Sequence, residues 1–436
     1  MRESRMPSQM MPVGVSERIN SIDVLRGVAL LGILVINIYF FALPGAVMFN
    51  PPAAGGFTGL NFLTWQFTST FFLQKMMGIF SMLFGAGIIL MSGKAEKSRK
   101  KFGAIHYRRM LWLLIFGLVH GYLLWHGDIL FTYAICGMVL FLFRRRSPRL
   151  LIILSIIFFI AGFLMQFGSS INFTMVRDAA ARAEKAIQNG KEIDKMQESM
   201  IVIRDDLESI FKPSEQEIQK EIDAYRGNFF EVLKFRLPET LMMQTQALFF
   251  FVFWRAMGFM LLGMALMKLD VFSAARSKRF YAILAIVGYT LGLPTVYYGL
   301  TQSLAHDFDY VYQFREGLHY NLFGGALTAL GHVGVIMLIC KAGLLKWLTA
   351  GLAAVGRTAL SNYLLTSVVM TTIFYGYGLG LFGHIDRFYL MLFIPGMWVI
   401  QLIISPIWLR HYKFGPAEWL WRSLTYRKKQ MMRIAS

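Results

Sequence analysis

RRMLWLLIFGLVHGYLLWHGDILFTYAICGMVLFLFRRRSPR, residues 108–149, holds two apolar runs joined by a few residues and closed at both ends by arginines. Each run is close to the ~20 residues a helix needs to cross the hydrocarbon core. The stretch reads as a membrane hairpin, with spans at 109–125 and 128–144. The pattern repeats along the chain. Of 436 residues, 56% are hydrophobic and 16% are charged, against roughly 25% charge in soluble domains. A soluble multi-domain protein is excluded. The fold class is all-α, a polytopic membrane helical bundle of about ten transmembrane helices. The further spans fall near 24–43, 70–92, 149–169, 243–267, 279–299, 320–341, 354–376 and 388–409. The 61–74 stretch reads as an interfacial helix leading into the second span.

Basic residues set the orientation. Six segments carry 29 of the 44 Lys and Arg: the N-terminal segment through Arg26, 93–109, 144–149, 268–279, 341–357, and the tail from Arg410. All six fall on one side of a ten-span chain, and the opposite short connections are nearly bare. The positive-inside rule places that side, with both termini, in the cytoplasm. A multi-pass membrane protein follows. The same placement accounts for the net charge of +19 without nucleic acid as a partner. The expected partners are the lipid bilayer, anionic lipid at the cytoplasmic face and a small-molecule substrate. Cys136 and Cys340 both lie in apolar runs, so no disulfide framework is indicated. The first apolar run reads as a retained helix, not a removed signal.

Three regions follow: an N-terminal bundle over 1–169, an extracytoplasmic helical insert over 170–242, and a C-terminal half over 243–436 with a basic tail. The insert carries eleven Lys/Arg and fourteen Asp/Glu. Its KPSEQEIQKEIDAY segment has Ser214 three residues before Glu217, a capping-box spacing. It reads as a helical cap without chemistry in preference to a substrate lid.

Ionisable groups inside spans are expensive and mark functional positions. Asp23 and Arg26 can pair at i, i+3, with Ser21 or Asp23 capping the first helix. Asn37 lies deeper in the same helix. Lys75 either snorkels to the outer surface or points into a cavity to hold an anionic or carbonyl oxygen. Arg255 is the deepest cation, and Asp128 is a candidate acceptor by sign. In VHGYLLWHGDILFTY (119–133), His120 and Asp128 can face each other across a tight turn. A carboxylate that fixes a histidine tautomer makes a general base. The alternative is a packing histidine beside a helix cap. His126, in the turn, is expected at an exposed interface. Thr358, Asn362 and Thr366 share a helix face, with Arg357 and Ser361 beside it, either as helix glue or as a lined path. The chain has no P-loop, GxSxG, HExxH or zinc spacing.

RINSIDVLRGVALLGILVINI (18–38), KMMGIFSMLFGAG (75–87), the 108–149 hairpin, FWRAMGFMLLGMALMKLDVF (253–272), GRTALSNYLLTS (356–367) and YKFGPAEWLWRSLTY (412–426) together resemble the YeiB-like bacterial membrane proteins, whose C-terminal half is a domain of unknown function. The likeness spans nearly the whole chain outside 170–230. That family in turn resembles the transmembrane acyltransferase superfamily, which shares a D-x-x-RG helix ending in Asn, here Asp23, Arg26, Gly27 and Asn37. The resemblance implies acyl transfer from cytoplasmic acyl-CoA, as donor substrate and with no bound cofactor, to an acceptor across the membrane. The superfamily's catalytic histidine lies in the loop after the first span. Here that loop, LPGAVMFNPPAAGGFTGLNFLTWQ, has none.

The expected function is therefore acyl transfer to an acceptor near the outer face. His120 and Asp128 form the catalytic pair in this reading. Asn37, Lys75, Arg255, Arg357, Ser361 and Asn362 are the substrate-binding residues, and no metal is involved. A transporter or export factor for a small polar or lipidic molecule is the second reading.

Overall fold

A computed structural model describes residues 19–97 and 102–434. Residues 1–18, which hold most of the polar N-terminal segment, and Arg99, Lys100 and Lys101 of the basic loop lie outside the described residues. In lipid, a backbone must satisfy its own hydrogen bonds, and a helix does so within one segment. The described chain accordingly forms helices: α1 (Asn20–Ala42), α2 (Gly59–Phe71), α3 (Lys75–Lys97), α4 (Gly103–Val119), α5 (Leu130–Leu140) and α6 (Pro148–Gln188). The insert adds α7 (Lys195–Phe211), α8 (Glu215–Tyr225) and α9 (Phe229–Met242). A π-helical segment, Met243–Val252, leads into α10 (Phe253–Lys268) and α11 (Lys278–Ala305). After the short α12 (Tyr310–Tyr312) come α13 (Leu318–Ala342), α14 (Lys346–Arg357), α15 (Ala359–Phe374), the short α16 (Arg387–Leu390), α17 (Phe393–His411) and α18 (Pro416–Tyr426).

Among the described residues, seven helical stretches are long and apolar enough to cross a membrane. The expected spans at 109–125, 128–144 and 354–376 are shorter helices. They are α4 with its terminal π turn, Leu130–Phe143 and Ala359–Phe374. Ile153, Ile157 and Ile160 on α6, Ile283 and Ile286 on α11, and Ile403 on α17 are exposed. These large apolar faces suit lipid contact.

Close glycine contacts hold the centre together. A Cβ on Gly85 of α3 would collide with the Met260 carbonyl of α10, and a Cβ on Gly263 of α10 would collide with the Met82 carbonyl of α3. Small residues allow such backbone approach where no hydrophobic driving force separates helix from lipid.

The basic connections gather on one face. Arg145 pairs with Glu96 at 3.2 Å, Lys268 donates to the Arg146 carbonyl at 2.7 Å, and Lys341 donates to the Ala274 carbonyl at 2.8 Å. Ser21 donates to the Phe272 carbonyl at 2.7 Å. That contact corrects the expected cap, because α1 begins without a side-chain cap and Ser21 instead ties the first turn of α1 to the turn after α10. Asp23 and Arg26 do pair, at 2.8 Å.

The opposite face is covered by the insert. Its helices begin at capping boxes on Asp194, Ser214 and Asn228. Phe211 stacks on Tyr310, and Tyr225 stacks on Phe382. Helix α6 runs through position 169 to Gln188 without a break. The insert therefore continues a membrane helix, and no linker separates the two.

Candidate functional site

Helix α4 ends in a π turn, His120–Leu124, in which the Trp125 amide bonds the His120 carbonyl at 2.9 Å. This wider turn rotates His120 inward, where it is 1% exposed. Its Nδ1 lies 3.0 Å from Asp128 Oδ1, and its Nε2 lies 2.8 Å from Ser367 Oγ of α15. The second Asp128 oxygen accepts the Phe131 amide at 2.7 Å. The two alternatives for Asp128, helix cap and histidine partner, are thus realised together, one per oxygen. An ionised carboxylate only accepts, so Nδ1 carries the proton and Nε2 is left as the acceptor. Ser367 then donates to Nε2, and the three side chains form one directed chain of hydrogen bonds.

The turn leaves carbonyls without helical partners, and α9 supplies donors. Arg236, 1% exposed, donates to the carbonyls of Leu124 and Tyr122, the latter at 3.0 Å. Thr240 donates to the Gly121 carbonyl at 3.2 Å. His126 is 9% exposed, a correction to the exposed position expected for it. The insert covers it, and Tyr225 Oη and Glu239 Oε2 lie 3.4 Å and 3.6 Å from its Nδ1. Burial pushes its pKa down to about 3.

A cavity of about 450 Å³ runs along the bundle beside this turn. That volume suits a small-molecule ligand. Its end nearest the insert is lined by Gln74, His126 and Asp128, and its middle by Met77, Phe80, Phe84 and Met110. Its other end, beside the basic connections, is lined by Arg26, Lys94, Arg109, Arg357 and Arg422. Arg109 lies over the Trp421 ring at 4.1 Å. Glu418 also borders this end. Its carboxylate is spent on the Leu360 and Ser361 amides at 2.6 Å and 3.2 Å. Burial raises its pKa.

Asn37, Asp128, Arg255 and Arg357 border this one cavity. Arg255 is 9% exposed and its Nε has no partner among the described residues. It does not pair with Asp128, whose oxygens are taken by His120 and Phe131. Neither His120 nor Lys75 borders this cavity; His120 lies behind Asp128. Lys75 lies apart from it. It is fully buried, and its Nζ donates to the Ser69 carbonyl at 2.8 Å and to Asn321 Oδ1 at 2.6 Å. Ser361 is held by Glu418, and Asn362 bonds Thr358 at 3.0 Å and Ser405 at 2.9 Å. Gln401 of α17 reaches Thr366 at 2.8 Å. The polar face of α15 is thus joined to α17.

Sequence reasoning missed Ser367 and Arg236. Ser367 sits one position past the Thr358–Asn362–Thr366 face, and nothing local ties it to a histidine 247 residues away. Arg236 was one charge among many in the insert.

Residues 266–428 match the family model described as "Protein of unknown function (DUF418)". The chain is similar to the uncharacterized protein YxaH of Bacillus subtilis (strain 168). They are 29% identical over 428 residues, which is 96% of this chain and 97% of that protein. It is also similar to the uncharacterized protein YeiB of Escherichia coli (strain K12), 29% identical over 420 residues, covering 94% and 97%. A 39.9 kDa protein of Bacillus acidopullulyticus is 25% identical over 418 residues, covering 96% of each chain. No solved structure matches.

Proposed function

We propose that this chain, a YeiB-like membrane protein with a DUF418 region, is an integral acyltransferase of the bacterial inner membrane. It would move an acyl group from cytoplasmic acyl-CoA to an acceptor near the outer face. The observation that carries the reading is the His120–Asp128 pair, held at 3.0 Å with Asp128 bordering a cavity that reaches the basic face. The donor's phosphates meet Arg26, Lys94, Arg109, Arg357 and Arg422. Its acyl arm runs along the Met and Phe side chains of the middle.

The acceptor's proton passes to His120, which lies behind Asp128 in the cavity wall, and Asp128 stabilises the imidazolium that forms. The acceptor oxygen or nitrogen attacks the thioester carbonyl, the C–S bond breaks, and the departing thiolate takes the proton from His120. Arg255 is the cation of the cavity wall suited to the developing oxyanion, with Asn37 beside the path. Lys75 is engaged elsewhere, which leaves Arg255 in that role.

The test uses purified protein in nanodiscs with radiolabelled acetyl-CoA and mixed amine and hydroxyl acceptors. Label transfer that is lost in His120→Ala supports the reading. Full transfer in that variant overturns the site. No transfer, together with ligand uptake into proteoliposomes, favours the transporter.

A further inference from the structure

A second chamber of about 120 Å³ lies in the outer half of the bundle. It shares Ile36, Phe40, Met48, Leu73 and Gln74 with the main cavity. Gln74 has φ of 68°, a left-handed conformation that a non-glycine residue keeps only where its surroundings enforce it. It forms the joint between α2 and α3, and so turns Lys75 away from the main cavity.

The chamber's charges are of one sign. Arg387 lines it and is 1% exposed. Its Nη atoms donate to the carbonyls of Gly56, Pro51 and Ala54 at 2.8, 2.9 and 3.2 Å, and its Nε has no partner among the described residues. Lys75 stands directly behind the wall, because both of its oxygen partners belong to lining residues, Ser69 and Asn321. Gln313 lines the chamber, is 5% exposed, and leaves its Nε2 unpartnered. Among the described lining residues there is no Asp or Glu. Those carbonyls and the neighbouring Asp386 carboxylate answer the Arg387 charge, but the Arg387 Nε and Gln313 Nε2 donors stay open, and a buried donor without an acceptor is costly.

We propose that this chamber binds a small organic anion of the hydroxycarboxylate class. The carboxylate answers Arg387, Lys75 and the open Gln313 amide, and Tyr39, Gln74 and Asn321 supply partners for a hydroxyl. Size agrees, since a cavity of about 150 Å³ takes benzene, a molecule of lactate's dimensions. The site stands independently of the acyl-transfer reading.

Equilibrium dialysis of the full chain in nanodiscs with radiolabelled lactate tests this. Saturable binding is expected, competed by acetate and not by uncharged methyl lactate. Gln313→Leu removes the open amide, and Leu300→Phe fills the chamber without touching a polar group. Each should weaken binding about tenfold or more. Ile403→Phe, on the lipid-facing side of α17, should bind as the parent does. Absence of saturable lactate binding overturns the proposal. So does methyl lactate competing as well as lactate, or Leu300→Phe binding like the parent. Displacement by inorganic phosphate but not by acetate overturns the carboxylate assignment.

Discussion

Arg236 donates to the Tyr122 carbonyl at 3.0 Å, so the last helix of the outer insert clamps the turn that carries His120. The insert is joined to the candidate site through main-chain acceptors, and no side chain of its own enters the reaction as proposed.

Replacing Arg236 by Leu would orphan two part-buried carbonyls, each worth up to about 1–3 kcal/mol. The expected result is loss of hydrogen-exchange protection over 119–125 and a fall in transfer activity. Arg236→Lys should restore only part of it, because an ammonium lacks the planar fork that reaches two carbonyls at once. Unchanged protection in Arg236→Leu would refute the clamp.

Asp128→Asn keeps an oxygen for the Phe131 amide but presents a neutral partner to His120. Helix α5 should stay formed by circular dichroism. Transfer should drop by about 10²–10⁴, the usual worth of a positioned acid–base group. A variant as active as the parent would remove Asp128 from the mechanism.

Glu221 accepts the Gly45 amide at 2.9 Å and fastens α8 to the loop after α1. Burial and the nearby Glu239 charge raise its carboxyl from 4.5 to about 8, against the pull of the Gly45 N–H. Between those values the folded chain holds a proton that the unfolded chain has lost. The stability contributed by the buried Glu221 carboxyl therefore falls as pH rises from about 4.5 to about 8. Exchange of 45–54 and 215–225, corrected for intrinsic rates, should quicken across that window in the parent and not in Glu221→Gln. Equal pH dependence in both would refute the assignment.

Asn362→Leu breaks the bonds to Thr358 and Ser405 that tie α15 to α17. A loss of about 1 kcal/mol is expected, the usual scale for interhelical hydrogen bonds in bilayers. Thermal unfolding in detergent measures it. A larger change in substrate affinity than in stability would return Asn362 to the binding site.

The helical membrane bundle was legible in the sequence, because apolar run length is a local quantity set by bilayer thickness. The sequence also offered the His120–Asp128 pair, because eight residues and a tight turn leave little freedom. Only the tertiary structure decided where isolated polar groups point. Lys75 and Gln74 are adjacent in sequence, yet a left-handed joint sends Lys75 behind a second chamber while Gln74 borders both cavities. Ser367 meets His120 across 247 residues, and Arg236 meets the turn across more than a hundred. Such partners follow from which helices pack together, and side-chain spacing along one helix carries no record of that.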